Sequence, residues 1–213
     1  MHATRIIAIR HGETAWNVDT RIQGQIDIPL NDTGEWQAAR LAEALADEPI
    51  AAVYASDLLR AHRTAEHVAQ SQGLPVQART GLRERAFGSF EGLTFDEIHA
   101  TLPDDARRWR TREPAFVPGG TGESLIVFRE RVVETVHAIA ARHPGEQVVV
   151  VGHGGVLDVL YRAATRQELQ APRTWKVGNA AINRLLWTPD GLSLVGWADD
   201  AHLARGELDD GTV

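Results

Sequence analysis

The sequence predicts an α/β protein in three layers, an α/β/α sandwich with helices on both faces of a mostly parallel sheet. Three observations predict it. Short apolar runs of strand length alternate with segments of helical period along the chain. Gln147 to Val151 is apolar on both faces, as a central parallel strand is. Polar or glycine-rich turns follow directly after these runs, where open parallel sheets place their sites.

In order, Arg5 to Ile9 reads as the first strand and delivers Arg10-His11-Gly12 into a polar loop that runs to about Asp32. A helix is expected from about Gly34 to Asp47, capped by Asp32 or Thr33. Ala51 to Ala55 is the second strand. Ser56 and Asp57 are suitable caps for a helix over Leu58 to Gln72, which Gly73 ends and which places Arg60 in its first turn. A short strand near Val76 follows, then irregular chain to Glu91-Gly92.

Thr94 with Glu97 forms a capping box for a short helix. Residues 98 to 123 are polar and rich in proline and glycine, so the segment from about 94 to 123 reads as a small lid insertion over the sheet. The spacing of Leu125, Phe128, Val132, Val136 and Ile139 predicts an amphipathic helix over Ser124 to His143. After the strand at Gln147 to Val151 comes Gly152-His153-Gly154-Gly155 and another helix to about Ala164. Ala181 to Trp187 and Leu192 to Ala198 form a hairpin, which leaves room for one antiparallel strand in the sheet. The reading is one domain over 1–204 and a charged tail over 205–213.

Composition excludes several function classes. There is no cysteine, so disulfides, thiolate metal sites and a cysteine nucleophile are ruled out. A net charge of −7 argues against nucleic acid or an acidic membrane as partner, because both are bound through diffuse positive charge. No run is long enough for a signal peptide or membrane span, so the expected location is the cytoplasm. The oligomeric state is left open, a homodimer included.

The chemistry gathers after three strands, at Arg10-His11-Gly12, at Ser56 to Arg60 and at Gly152-His153-Gly154. Phosphoryl transfer spreads charge over three oxygens, and Arg10 and Arg60 supply permanent, bidentate cations for them. Arg60 at a helix start also lies where the dipole favours an anion. His153 can donate a further hydrogen bond, and glycines beside it such as Gly154 let an ester approach the backbone. His11 fits a neutral imidazole nucleophile whose other ring N–H is held by a backbone carbonyl. Glu84, in Leu82-Arg83-Glu84-Arg85, is the best acid for the leaving group, with Asp57, Glu13 and Glu91 as competing carboxylates.

Five blocks carry a resemblance. They are Arg10-His11-Gly12-Glu13-Thr14-x-x-Asn17; Gly24-x-x-Asp27-x-Pro29-Leu30; Ser56-Asp57-Leu58-x-Arg60-Ala61-x-Arg63-Thr64-Ala65; Glu84-x-x-x-Gly88-x-x-Glu91-Gly92; and Val151-Gly152-His153-Gly154-Gly155. In this order over residues 5 to 157 they resemble the histidine phosphatase superfamily, also called the phosphoglycerate mutase-like family. The resemblance implies that fold, with His11 phosphorylated, Glu84 as proton donor and Arg10, Arg60 and His153 as phosphate ligands. It adds Asn17, Gln23 and Gly24 as substrate or phosphate contacts, and implies no metal and no organic cofactor.

The family contains phosphatases and cofactor-dependent phosphoglycerate mutases. Here 69 residues separate Glu84 from His153, fewer than in typical mutases. Ala86-Phe87 stands where mutases carry His-Tyr, and Trp109-Arg110-Thr111 breaks their Arg-Arg pair. The expectation is a phosphomonoesterase acting on a small phosphorylated metabolite. A mutase is the alternative, and a non-catalytic phosphate-binding module is disfavoured because every catalytic position is filled. Arg107, Arg108 and Arg110 read as a solvated lid face or as a contact for a substrate carboxylate. The remaining histidines show no metal-ligand pattern.

Overall fold

The structure is a computed structural model that describes residues 2–204. The tail read from 205–213 lies outside the described residues. Six strands form one sheet: β1 (Thr4–Arg10), β2 (Ala52–Ala55), β3 (Val76–Ala78), β4 (Gln147–Gly152), β5 (Ile182–Thr188) and β6 (Gly191–Asp199), in the order β3-β2-β4-β1-β5-β6. The first four are mutually parallel, β5 runs against β1, and β6 runs against β5. One strand, β5, is therefore reversed relative to the others.

Alternation along the strands splits the core in two. Ile7, Ile9, Val53, Val149 and Val151 pack on α2 (Asp32–Ala44) and α3 (Leu59–Gln72), while Ile6, Ala8, Val148 and Val150 pack on α6 (Leu125–Ala140) and α7 (Gly154–Thr165). These are the two helical layers of the sandwich. Among the described residues no helix is long and apolar enough to cross a membrane.

Local departures from the sequence reading have clear causes. The cap of α2 is Asn31, whose side chain accepts from Gly34 N–H, rather than Asp32 or Thr33. Neither Ser56 nor Asp57 caps α3: the cap position is Leu58, and Asp57 is instead paired with Arg83. Inside the polar loop Thr14 and Asn17 close a capping box round a single helical turn, α1 (Ala15–Val18). The 98–123 segment is more ordered than its polarity suggested. It contains the end of α4 (Phe95–Thr101), with the expected Thr94–Glu97 box, and all of α5 (Pro103–Arg110). Phe90, Ile98, Ala106 and Phe116 form a small separate core there, joined by Ile22, Phe87 and Trp109.

Candidate active site

Strand register places the two histidines together. β1 and β4 run parallel with Arg10 beside Gly152, so the next residue of each, His11 and His153, leaves the sheet at the same level. Their ring centroids are 5.2 Å apart, edge to face. Ser56 N–H reaches back to Val151 O, so α3 starts at the same sheet end and brings Arg60 in from its first turn.

His11 is buried and its Nδ1 donates to Gly12 O at 2.6 Å, since a carbonyl can only accept. That fixes the tautomer with Nε2 free of a proton. Burial first, then the charges of Arg60 and Arg10, push the His11 pKa well below the ordinary histidine range. His153 is lowered in the same way, by burial and then Arg60.

Arg60 is 1% exposed, and its two terminal nitrogens donate to Gly24 O at 2.8 Å and Ile26 O at 2.9 Å. Burial pushes it down to about 10, which still leaves it charged at neutral pH. Arg10 donates to Val177 O at 2.7 Å. Among the described residues, Arg10 Nε, Arg60 Nε, both nitrogens of His153 and Gln23 Oε1 are buried without any partner. Buried polar groups are normally satisfied, so the unpaired Nε–H of each arginine and the one N–H of neutral His153, next to His11, mark a place for an anion.

Glu84 closes one side. One carboxylate oxygen accepts from Arg85 N–H at 2.8 Å and the other from Gly155 N–H at 2.9 Å, in the first turn of α7. The competing carboxylates are engaged elsewhere: Asp57 in a bidentate pair with Arg83, Glu13 with Asn31, and Glu91 with the backbone of Gln25 and Phe87. Of the four, Glu84 alone lines the cleft.

That cleft, about 190 Å³, is lined by Arg10, His11, Asn17, Gln23, Gly24, Arg60, Glu84 and Gly154, together with Arg21, Ile22, Phe87 and Trp109. All of the sequence-predicted site residues except His153 line it, and His153 is fully buried beside His11. Gly24 has φ +51°, and a Cβ there would sit 2.1 Å from Glu91 Oε1, so the turn that feeds Arg60 its carbonyl acceptors requires glycine.

The arginines of 107–110 do not line the cleft. Arg108 pairs with Glu113, Arg107 with Asp104, and Arg110 lies over the Phe95 ring, while Trp109 between them does reach it. Sequence reasoning also missed Asn179, which donates to His11 O at 2.8 Å; no strand end or motif block marked it. Among the described residues no three His, Asp or Glu side chains converge as a metal site would need.

A buried imidazole with a free Nε2, two arginines and one carboxylate make a site for phosphoryl transfer to histidine, and residues 6–200 match the family model of the histidine phosphatase superfamily (branch 1). The chain belongs to that family and is a phosphoric monoester hydrolase of the histidine phosphatase type.

Among similar proteins, phosphoglycerate mutase-like protein 4 of Arabidopsis thaliana is 39% identical, over 93% of this chain and 86% of its own. The metal-independent phosphoserine phosphatase of the same plant is 38% identical, over 94% and 84%. Glucosyl-3-phosphoglycerate phosphatase of Mycobacterium tuberculosis is 34% identical, over 89% of each chain. The solved structure of Bacillus stearothermophilus YhfR superposes with a TM-score of 0.88 at 32% identity, covering 95% of this chain and all of that one.

Proposed function

We infer that the chain hydrolyses a small phosphorylated metabolite in two steps, with the phosphoryl group carried on His11. The single observation that supports this most is that Arg10 and Arg60, each with an unpaired buried Nε–H, line one cleft with a neutral, tautomerically fixed His11. Arg10 and Arg60, together with the His153 N–H, hold the non-bridging oxygens and stabilise charge where it grows. His11 Nε2 attacks phosphorus in line as the ester P–O bond breaks. Glu84, protonated, gives its proton to the departing alkoxide; as carboxylate it then takes one from the water that cleaves the P–N bond. Asn17, Gln23, Gly24 and Gly154 shape the floor on which the ester rests.

The fixed cations do the work a metal ion does in other phosphoryl-transfer sites, so turnover proceeds without one. The α4–α5 segment acts as a short lid through Trp109, whose ring packs on Phe87. Water reaches the phosphohistidine beneath it, which favours hydrolysis over transfer to a second hydroxyl.

The test is a panel of esters, including phosphoserine, glucosyl-3-phosphoglycerate and 3-phosphoglycerate, with free phosphate measured with and without chelator. Phosphate release unaffected by chelator is expected. Fast conversion of 3- to 2-phosphoglycerate primed by 2,3-bisphosphoglycerate, with negligible hydrolysis of every ester, would instead make the chain a mutase, the reading to which the mutase-like relative points.

A further inference from the structure

The peptide group joining His11 to Gly12 is gripped at both polar atoms. Its carbonyl, His11 O, accepts from Asn179 Nδ2 at 2.8 Å. Its N–H, on Gly12, donates to Thr64 Oγ1 at 3.0 Å, and that hydroxyl donates in turn to Arg60 O at 2.8 Å. The carbonyl of the next peptide, Gly12 O, is the group that accepts from His11 Nδ1.

Residue 12 must be glycine for a steric reason: a Cβ would lie 2.5 Å from Gly34 O. Glycine has the widest backbone freedom of any residue, so nothing intrinsic to Gly12 fixes where its carbonyl points. The orientation has to be imposed from outside: Glu13 N–H, on the same peptide as Gly12 O, donates to Gln37 Oε1 at 2.8 Å, and Asn179 and Thr64 hold the peptide before it. Thr64 is fully buried on α3, four residues from Arg60, and Asn179 enters from the segment before β5. Asn179 also lies 3.4 Å from Asn17 Oδ1, and the adjacent Ala180 N–H donates to Arg10 O at 2.9 Å.

We propose that Asn179 and Thr64 are positioning residues that clamp the His11–Gly12 peptide and thereby, with Gln37 holding the next peptide, set the tautomer and aim of the His11 ring. Neither touches the ester. The proposal rests on His11 as the nucleophile. Thr64 further ties the nucleophile's backbone to that of Arg60, so the attacking nitrogen and the phosphate clamp keep one relative position. A misplacement of roughly 1 Å at a reacting atom can cost on the order of 100-fold in rate.

The test compares wild type with Thr64→Val, Thr64→Ser and Asn179→Ala. It measures single-turnover phosphorylation of His11 by nitrophenyl phosphate, competitive inhibition by inorganic phosphate, and the His11 tautomer by ¹⁵N NMR. Thr64→Val and Asn179→Ala are expected to slow phosphorylation about 10- to 100-fold and to give mixed tautomers, with phosphate inhibition within about threefold of wild type. Thr64→Ser restores the rate and the single Nδ1–H tautomer. Wild-type loading rates in both disabled variants, or equal losses of rate and phosphate affinity in them, overturn the clamp and leave the nucleophile assignment standing. Absence of any phosphohistidine in wild type overturns both.

Discussion

The rings of His11 and His153 meet edge to face at 5.2 Å, both kept neutral by burial first and then by the charges of Arg60 and Arg10. A protonated ring at either position would face Arg10, Arg60 and its neighbour, so the pair is stable only uncharged.

That has a consequence for stability. Near and below about pH 6.5 the unfolded chain takes up protons on these histidines that the folded chain refuses. The unfolded state then binds more protons, so stability is complete above about pH 6.5 and declines as the pH falls from there. Urea midpoints of wild type and His153→Gln between pH 5 and 7.5 should show a shallower decline in the variant. Parallel curves would mean that His153 is protonated in the folded protein.

Phosphate on His11 should appear as an acid-labile, base-stable adduct when turnover is quenched without acid. Mass spectrometry of active wild-type protein should locate it on His11, and His11→Ala should have neither adduct nor activity. A fully active His11→Ala would end the covalent reading.

Removal of the Glu84 acid should matter in proportion to the leaving group's need for a proton. General acid help is worth roughly 10²- to 10⁴-fold. Glu84→Gln should lose that much on an alkyl phosphate and far less on nitrophenyl phosphate, compared as kcat on the two esters. Equal losses would give Glu84 a structural role.

The glycines that open α7 differ in the space they have. A Cβ on Gly155 would fall 2.2 Å from Glu84 Oε1 and 3.0 Å from the Phe128 ring, whereas one on Gly154 meets nothing closer than Arg10 Nε at 3.6 Å. Gly155→Ala should therefore displace Glu84 and reproduce the leaving-group dependence of Glu84→Gln. Gly154→Ala should retain alkyl phosphatase activity within about tenfold, the cost of one modest contact.

Arg60→Lys keeps the charge but loses both the planar fork that reaches Gly24 O and Ile26 O together and Nε, the buried donor left unpaired for an anion. A hydrogen bond to a charged group is worth about 1.5–3 kcal/mol, or roughly 10- to 100-fold in binding. Competitive inhibition by phosphate or vanadate should weaken by that factor. Faster amide exchange around residues 24–27 should accompany it.

How far the site could be read in advance depended on whether position followed from strand ends. His11, His153 and Arg60 were legible because each comes directly after an apolar strand or opens the next helix. Glu84 was legible from its block, with its rivals excluded only once Arg83, Asn31 and the backbone near Gln25 were seen to occupy them. Asn179 lies outside every block and acts through the fold, 168 residues from the carbonyl it holds. Trp109 is hidden in the sequence within an arginine run, and only the fold shows that its ring and Ala106 join the apolar cluster while Arg108 and Arg110 lie across neighbouring rings. The caps of α2 and α3 moved because tertiary partners claimed Asp57 and because Asn31 stood one residue earlier than the residues first chosen.

Of the six strands described, β1 comes earliest in the chain and yet is among the last to be paired. β1 lies between β4 and β5, so its two neighbours arrive only with residues 147–152 and 182–188. Every residue that would touch phosphate has been synthesised by Gly154, yet Val177 and Asn179, which hold Arg10 and the His11 carbonyl, have not. A nascent chain therefore carries the complete set of reactive side chains for some time without the frame that makes them reactive, and such long-range pairing is slow. Phosphatase activity in this protein is in effect a report that synthesis has passed β5 and that the sheet has closed around its own beginning.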